Sequence, residues 1–211
     1  MSEPHSNNAL SACDLLLFRG ERCLLDGVSL SVAPGEGIAL RGPNGTGKTT
    51  LLRVLCGLSD AEEGDVFWQG KSIRSQRIEW QQVLGWSGHL SGFKADLTVR
   101  ENLNFHAALY GYSPQKLPAE LELSACEDLP VRALSAGQKR RTALASVILG
   151  NAGVWMLDEP YTNLDIQGVD YLNNVFRKHL ENNGILIIAS HGEAHAGVGL
   201  RELTLSKGQL S

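Results

Sequence analysis

The stretch R-G-P-N-G-T-G-K-T-T, residues 41–50, decides how the rest of this 211-residue chain is organised. Gly42, Gly47, Lys48 and Thr49 satisfy G-x-x-x-x-G-K-[ST], with Pro43, Asn44, Gly45 and Thr46 between them and Thr50 following. Glycines at these points let the backbone turn tightly and bring its N–H groups against phosphate oxygens, where a Cβ would block the approach. Lys48 adds a point charge for the β- and γ-phosphates, and Thr49 a hydroxyl ligand for Mg²⁺. The flanks fit as well. Residues 37–41 (G-I-A-L-R) read as a short buried strand and residues 49–56 (T-T-L-L-R-V-L-C) as a helix, which places the loop at a helix N-terminus.

Working outward, the chain is long enough for one sizeable core, and 43% of its residues are hydrophobic. Net charge is −4 and no basic run exceeds Lys139-Arg140-Arg141, so nucleic acid is not an expected partner. The first twelve residues lack the basic start and apolar run of a secretory signal and read as a polar tail. The most apolar stretch, G-I-L-I-I-A at 184–189, falls far short of a spanning helix, so no direct membrane insertion is expected. Cys13, Cys23, Cys56 and Cys126 form no C-x-x-C pair and read as reduced, mostly packed thiols.

Residues 14–18, 28–32 and 37–41 look like strands, which makes the N-terminal part β-rich. A further strand is expected at 65–69, and another at 83–86. From residue 97 the period changes. Thr98 and Glu101 have capping-box spacing, and Leu103, His106, Ala107 and Tyr110 fall on one helical face before Gly111. A small helical insert is expected over 98–132, extending to about 150 with the helix that begins near Gly137. That helix should turn Leu144, Val147 and Ile148 inward and Lys139, Arg140 and Arg141 outward. Apolar strands at 154–157 and 184–190 flank a helix at 168–181. Alternation of this kind gives an α/β P-loop fold: a mostly parallel core sheet, an N-terminal antiparallel β subdomain and a small helical subdomain.

Asp158 and Glu159 end an apolar strand, where ligand chemistry gathers in open α/β sheets. Strand alternation points them to opposite sides, so Asp158 suits the Mg²⁺ shell while Glu159 polarises the attacking water. His191 follows the next buried strand, within reach of a γ-phosphate. Leu134-Ser-Ala-Gly-Gln138 supplies the discriminating feature, since Ser135 and Gly137 at a helix N-terminus form a second anion site.

Taken together, G-P-N-G-T-G-K-T-T, L-S-A-G-Q, V-W-M-L-D-E-P, Asn163-Leu164-Asp165 and His191 resemble the nucleotide-binding subunit of ABC transporters, over residues 13–211. The resemblance implies a homodimer formed on ATP binding, with each ATP between the phosphate loop of one copy and Ser135, Gly137 and Gln138 of the other. Asp165 then corresponds to the dimer-facing aspartate, with Lys48, Glu159 and His191 as catalytic residues. Integral membrane subunits are the implied partners, docking beside residues 90–94 and holding the chain peripherally on the cytoplasmic face of a bacterial inner membrane.

Two positions depart from that family's pattern. His89 stands where a metal- or water-binding glutamine is expected, and the adenine-stacking aromatic falls on Arg19, with Phe18 beside it. Within the family the chain is most similar to the ATP-binding subunit of the haem exporter in cytochrome c maturation, which carries Gly88-His89, L-T-x-x-E-N-L (97–103) and L-S-A-G-Q-x-R-R (134–141). The implied work is ATP-driven release of a haem-loaded chaperone. The alternatives are a subunit of another ABC transporter with different cargo, or a soluble protein of the same superfamily.

Overall fold

A computed structural model of the chain describes residues 10–88, 92–112 and 117–211. Strands β1 (Leu10–Arg19) and β2 (Arg22–Val32) pair antiparallel through a tight turn in which Gly20 takes a φ of 63°. β1 starts inside the expected polar tail: Leu10, Ser11 and Ala12 are all buried. Leu10 pairs with Val32 on one side and Trp68 on the other, so tertiary pairing orders a segment whose own composition is weak. Next, β3 (Gly37–Arg41) runs through residues 42–47 into α1 (Lys48–Leu55). β4 (Glu63–Trp68) and β5 (Lys71–Ser72) then return to complete an antiparallel sheet of order β2-β1-β4-β5.

Short α2 (Arg77–Val83) leads into β6 (Leu84–Ser87) and then α3 (Val99–Tyr110). After two 3₁₀ turns at Ala119–Leu121 and Val131–Ala133 come α4 (Ala136–Gly150), β7 (Val154–Asp158), α5 (Ile166–Glu181) and β8 (Ile185–Ala189). β9 (Arg201–Ser206) and β10 (Gln209–Leu210) close the chain. The second sheet has the order β10-β9-β3-β8-β7-β6. All of its pairs are parallel except the terminal hairpin β9-β10.

Alternation along β3, β7 and β8 divides the core. Ile38, Leu40, Val154, Met156, Ile185 and Ile187 face α1 and the antiparallel sheet. Ala39, Trp155, Leu157, Leu186 and Ile188 face α4 and α5, against Leu144, Leu172 and Phe176. Both faces are covered, which is why these strands are apolar up to the charged residues, Arg41 and Asp158, that end β3 and β7.

The capping box at α3 forms as expected, with Thr98 accepting from the Glu101 amide and the Glu101 side chain from the Thr98 amide, and Gly111 ends the helix in a left-handed conformation. Its inward face differs from the expectation. Tyr110 is exposed, while Asn102 is buried and spends its side chain on the loop ahead of the helix, donating to the carbonyls of Lys94, Leu97 and Thr98. A buried amide with all these partners carries little penalty.

Helix α4 is apolar on two sides. Leu144 and Val147 meet β7 and β8, while Ala145 and Leu149 join Val99, Leu103, Leu123 and Val131 in a separate small core. Arg140 and Arg141, expected outward, are both folded in. Position 140 lies four residues before Leu144 and seven before Val147, which is the buried face of a 3.6-residue helix. Arg141 pairs with Glu122 and Asp165 and leaves only 14% of its side chain exposed.

Candidate active site

Every glycine of the phosphate loop that was singled out in the sequence adopts a backbone that other residues rarely take: φ is 131° at Gly42, 76° at Gly45 and 110° at Gly47. A Cβ on Gly42 would stand 2.3 Å from the Leu205 carbonyl oxygen, so β9 packs against the loop as closely as glycine permits. Thr46 hydroxyl donates to the Pro43 carbonyl at 3.0 Å and closes the turn. Gly42, Pro43 and Thr46 therefore shape the loop, while Asn44, Gly45, Gly47, Lys48, Thr49 and Thr50 line the groove beside it.

Lys48 opens α1, and its buried ammonium donates to the carbonyls of Gly42 at 2.7 Å and Pro43 at 3.1 Å. Burial pushes its pKa down from the ordinary value, and the charges of Glu159 and Asp158 oppose that shift. Thr49 hydroxyl donates to Asp158 Oδ2 at 2.8 Å. The parallel register places Asp158 opposite Ala189, which brings residues 158–159 and 190–191 to the same sheet end as the phosphate loop.

At Glu159 the chain leaves the strand with a φ of 53° and its amide donates to the Ala189 carbonyl. The direction of the Glu159 carboxylate is thus set by this left-handed residue, not by the simple strand alternation expected from the sequence. Glu159 Oε1 lies 3.2 Å from His191 Nε2 but is not aligned for a hydrogen bond, and it is buried with no other partner among the described residues. A buried carboxylate oxygen with free acceptor capacity fits a water molecule to be activated.

These groups open into a groove of about 990 Å³ whose far rim is Phe18 and Arg19 at the end of β1. Both candidates for the base-stacking position are at the rim, Phe18 with 41% of its surface exposed. His89 lies outside the described residues. Thr49 and Asp158 offer a hydroxyl and a carboxylate oxygen side by side, a hard-oxygen pair suited to Mg²⁺ that takes its remaining ligands from phosphate and water.

The ABC transporter family profile matches residues 25–162, from within β2 to just past the Asp158–Glu159 strand end, and includes the phosphate loop. The chain belongs to the ABC transporter family. Within it, the chain is 46% identical, over 86% of its length and 88% of the relative, to the cytochrome c biogenesis ATP-binding export protein CcmA of Escherichia coli O6:H1. It is 40% identical to the protein of that name from Vibrio vulnificus, over 89% of this chain and 94% of the relative. Among solved structures, an ATP-binding subunit of an ABC transporter superposes with a TM-score of 0.87 at 22% identity, over 96% of this chain and 88% of that one. The ATP-binding cassette MJ0796, in a dimeric post-hydrolysis state bound to ADP and phosphate, gives 0.82 at 20% identity, over 96% of both chains. At these identities the likeness is one of fold.

In this ABC transporter chain Ser135, Gly137, Gln138 and Asp165 do not line the groove of Lys48. Ser135 caps α4 in a reciprocal box with Gln138, and Asp165 caps α5 through the Gly168 amide at 2.9 Å. Arg141, pairing with Asp165 at 3.2 Å, joins those two helix starts.

Two arginines escaped the sequence reading. Arg22 opens β2 and overhangs the phosphate loop, its guanidinium 3.9 Å from where a Cβ of Gly45 would be. Arg140 reaches from α4 to the Asp158 carbonyl at 2.6 Å, the Gly88 carbonyl at 3.1 Å and the Ser87 hydroxyl at 3.3 Å, pinning the ends of β6 and β7 together. Burial pushes its pKa down, with Asp158 and Glu159 opposing. Only helical arithmetic from Leu144 could have found it.

Proposed function

We propose that this chain is the ATP-hydrolysing subunit of a membrane ABC complex for haem export in cytochrome c biogenesis. Identity above 40% with CcmA proteins over most of the chain supports the biological role. The observation that carries the chemistry is the convergence of Lys48, Asp158, Glu159 and His191 at one sheet end.

The loop amides and Lys48 hold the β- and γ-phosphates, and Phe18 or Arg19 covers the base. Thr49 and Asp158 would hold Mg²⁺, which would supply neutralisation of phosphate charge there. Glu159 Oε1 accepts a proton from water as the water oxygen bonds to the γ-phosphorus, and the bond to the ADP oxygen breaks. His191 steadies the γ-phosphate and the water. His89, outside the described residues, would be a further ligand for metal or water.

Since Ser135, Gly137 and Gln138 stand apart from the groove of their own chain, a site that uses them takes them from a second copy. ATP then closes a homodimer, with Asp165 facing the partner. The helical part, about 98–150, carries this second anion site. Integral membrane subunits dock beside residues 90–94, of which 90 and 91 lie outside the described residues; next to Gly92 is a groove of about 200 Å³ between β6 and the helices α3 and α4, lined also by Trp86, His106, Tyr110 and Tyr112. None of the described helices is long and apolar enough to cross a membrane, which suits a peripheral place on the cytoplasmic face of the inner membrane. The work done there is release of a haem-loaded chaperone.

Replacing the gene with a Glu159→Gln version tests this reading. Covalent c-type cytochromes should vanish from haem-stained gels and the haem-loaded chaperone accumulate, while b-type haem proteins persist. Normal c-type cytochromes would leave an ABC transporter ATPase with another cargo.

A further inference from the structure

Arg41 ends β3 directly before Gly42, yet its side chain turns away from the groove lined by Lys48 and Glu159. Its guanidinium forks. Nη1 donates to the carbonyl of Gly192, the residue after His191, and Nη2 donates to Glu202 Oε1 at 2.8 Å. Glu202, on β9 alongside β3, holds with the same oxygen His195 Nε2 at 3.2 Å. His195 is only 2% exposed, and its Nδ1 is buried without a hydrogen-bond partner among the described residues. The imidazole is therefore fixed on one side only, by Glu202.

The turn that carries His191 out of β8 is thus gripped at both ends by a charge-assisted pair rooted in the phosphate-loop strand. Between those ends, Asn173 on α5 donates to the Ala194 carbonyl at 2.7 Å and accepts from the Tyr161 hydroxyl at 2.7 Å. A planar guanidinium can bond the Gly192 carbonyl and the carboxylate together, which a single ammonium cannot do with the same geometry. Glu202 keeps 55% of its side chain exposed, and a pair that open adds little to global stability. Its effect is local. Arg41 first, then His195, holds the Glu202 carboxyl below the ordinary range.

We infer that Arg41, acting through Glu202 and the Gly192 carbonyl, is the positioning residue that sets where His191 stands between Lys48 and Glu159. The kinetic consequence rests on the ATPase reading above, while the structural consequence does not. His191 Nε2 is 3.4 Å from Lys48 Nζ and 3.2 Å from Glu159 Oε1, distances that a small shift of the turn would lose.

The test uses the full chain, alone for hydrogen exchange and co-purified with its membrane subunits for turnover. In Arg41→Met, amides of residues 190–196 should exchange at least tenfold faster while those of β7 keep their protection. Turnover should fall about tenfold with KM for ATP within twofold, as expected for a misplaced group outside the binding contacts. Arg41→Lys should recover part of both, and Glu202→Gln should fall between. In a His191→Ala background Arg41→Met should cost nothing further, because its effect passes through that imidazole. Equal losses in both backgrounds, or faster exchange spread over the whole sheet, would overturn the inference in favour of a merely structural arginine. Unchanged exchange at 190–196 would overturn it outright. If the wild-type complex hydrolyses no ATP, the functional reading fails, and the exchange result alone decides on the clamp.

Discussion

Lys48 Nζ stands 3.4 Å from His191 Nε2, although 143 positions separate the two residues. The same nitrogen lies 3.2 Å from Glu159 Oε1. A neutral imidazole cannot serve both neighbours through one nitrogen, because accepting from Lys48 leaves no proton there for Glu159. His191 Nε2 therefore stands between the Lys48 ammonium and the Glu159 carboxylate and can hydrogen-bond only one of them at a time as a neutral ring.

In the proposed mechanism Lys48 is the cation buried against the phosphate loop, and its removal takes away that contact to the phosphates. Lys48→Ala should weaken ATP binding at least tenfold, read with a fluorescent nucleotide, and abolish turnover. Near-normal hydrolysis in this variant would sink the phosphate-loop assignment.

The amide of Glu159→Gln keeps the shape of the side chain and loses its basicity. Turnover should drop by about 10²–10⁴, the usual contribution of a general base, while ATP binding survives. Gel filtration in saturating MgATP should show an accumulated dimer. A monomer that hydrolyses ATP at the wild-type rate would count against both the base and the shared site.

Arg140 is a stability residue with a catalytic address. Arg140→Met leaves the Asp158 and Gly88 carbonyls without their charged donor, and each such bond contributes about 1.5–3 kcal/mol. Denaturant melts should show a loss of at least about 2 kcal/mol, with Arg140→Lys recovering only part. A loss under about 0.5 kcal/mol would mean that water replaces the guanidinium.

His179 lies flat on Trp155, with ring centroids 3.8 Å apart, and burial holds its pKa below the ordinary value despite a hydrogen bond to Ile185 that raises it. His106 is shifted the same way, also by burial. Both are less protonated in the folded chain than in the unfolded one over the range just below pH 6.5. Stability should therefore fall as pH drops through about 6.5 and level off below the folded pKa values. His179→Phe keeps the stacked ring and removes the proton site, so its melting temperature should fall less steeply on acidification. Parallel pH profiles for the two proteins would show that His179 does not contribute.

The local sequence was sufficient for the phosphate loop, the capping box at Thr98 and the apolar strands, since each depends on contacts within a few residues or on burial of both strand faces. Gly42, Gly45 and Gly47 need their positive φ whatever surrounds them, and Thr98 finds Glu101 one helical turn away. Period and spacing therefore carried the α/β organisation and the positions of Lys48, Thr49, Asp158, Glu159 and His191. Tertiary structure decided what those residues do to one another. Leu10 to Ala12 became a strand because β2 and β4 pair with them, and Glu159 turned by a left-handed residue where an extended one was expected. Arg140 and Arg41 became fixed supports because a parallel sheet brings the ends of β3, β6, β7 and β8 side by side, and such long-range register has no signature in neighbouring residues. A charged side chain reads as solvent-facing from its own chemistry alone. Whether carbonyls and carboxylates wait for it at the end of a sheet depends on strand order, which only the folded chain supplies.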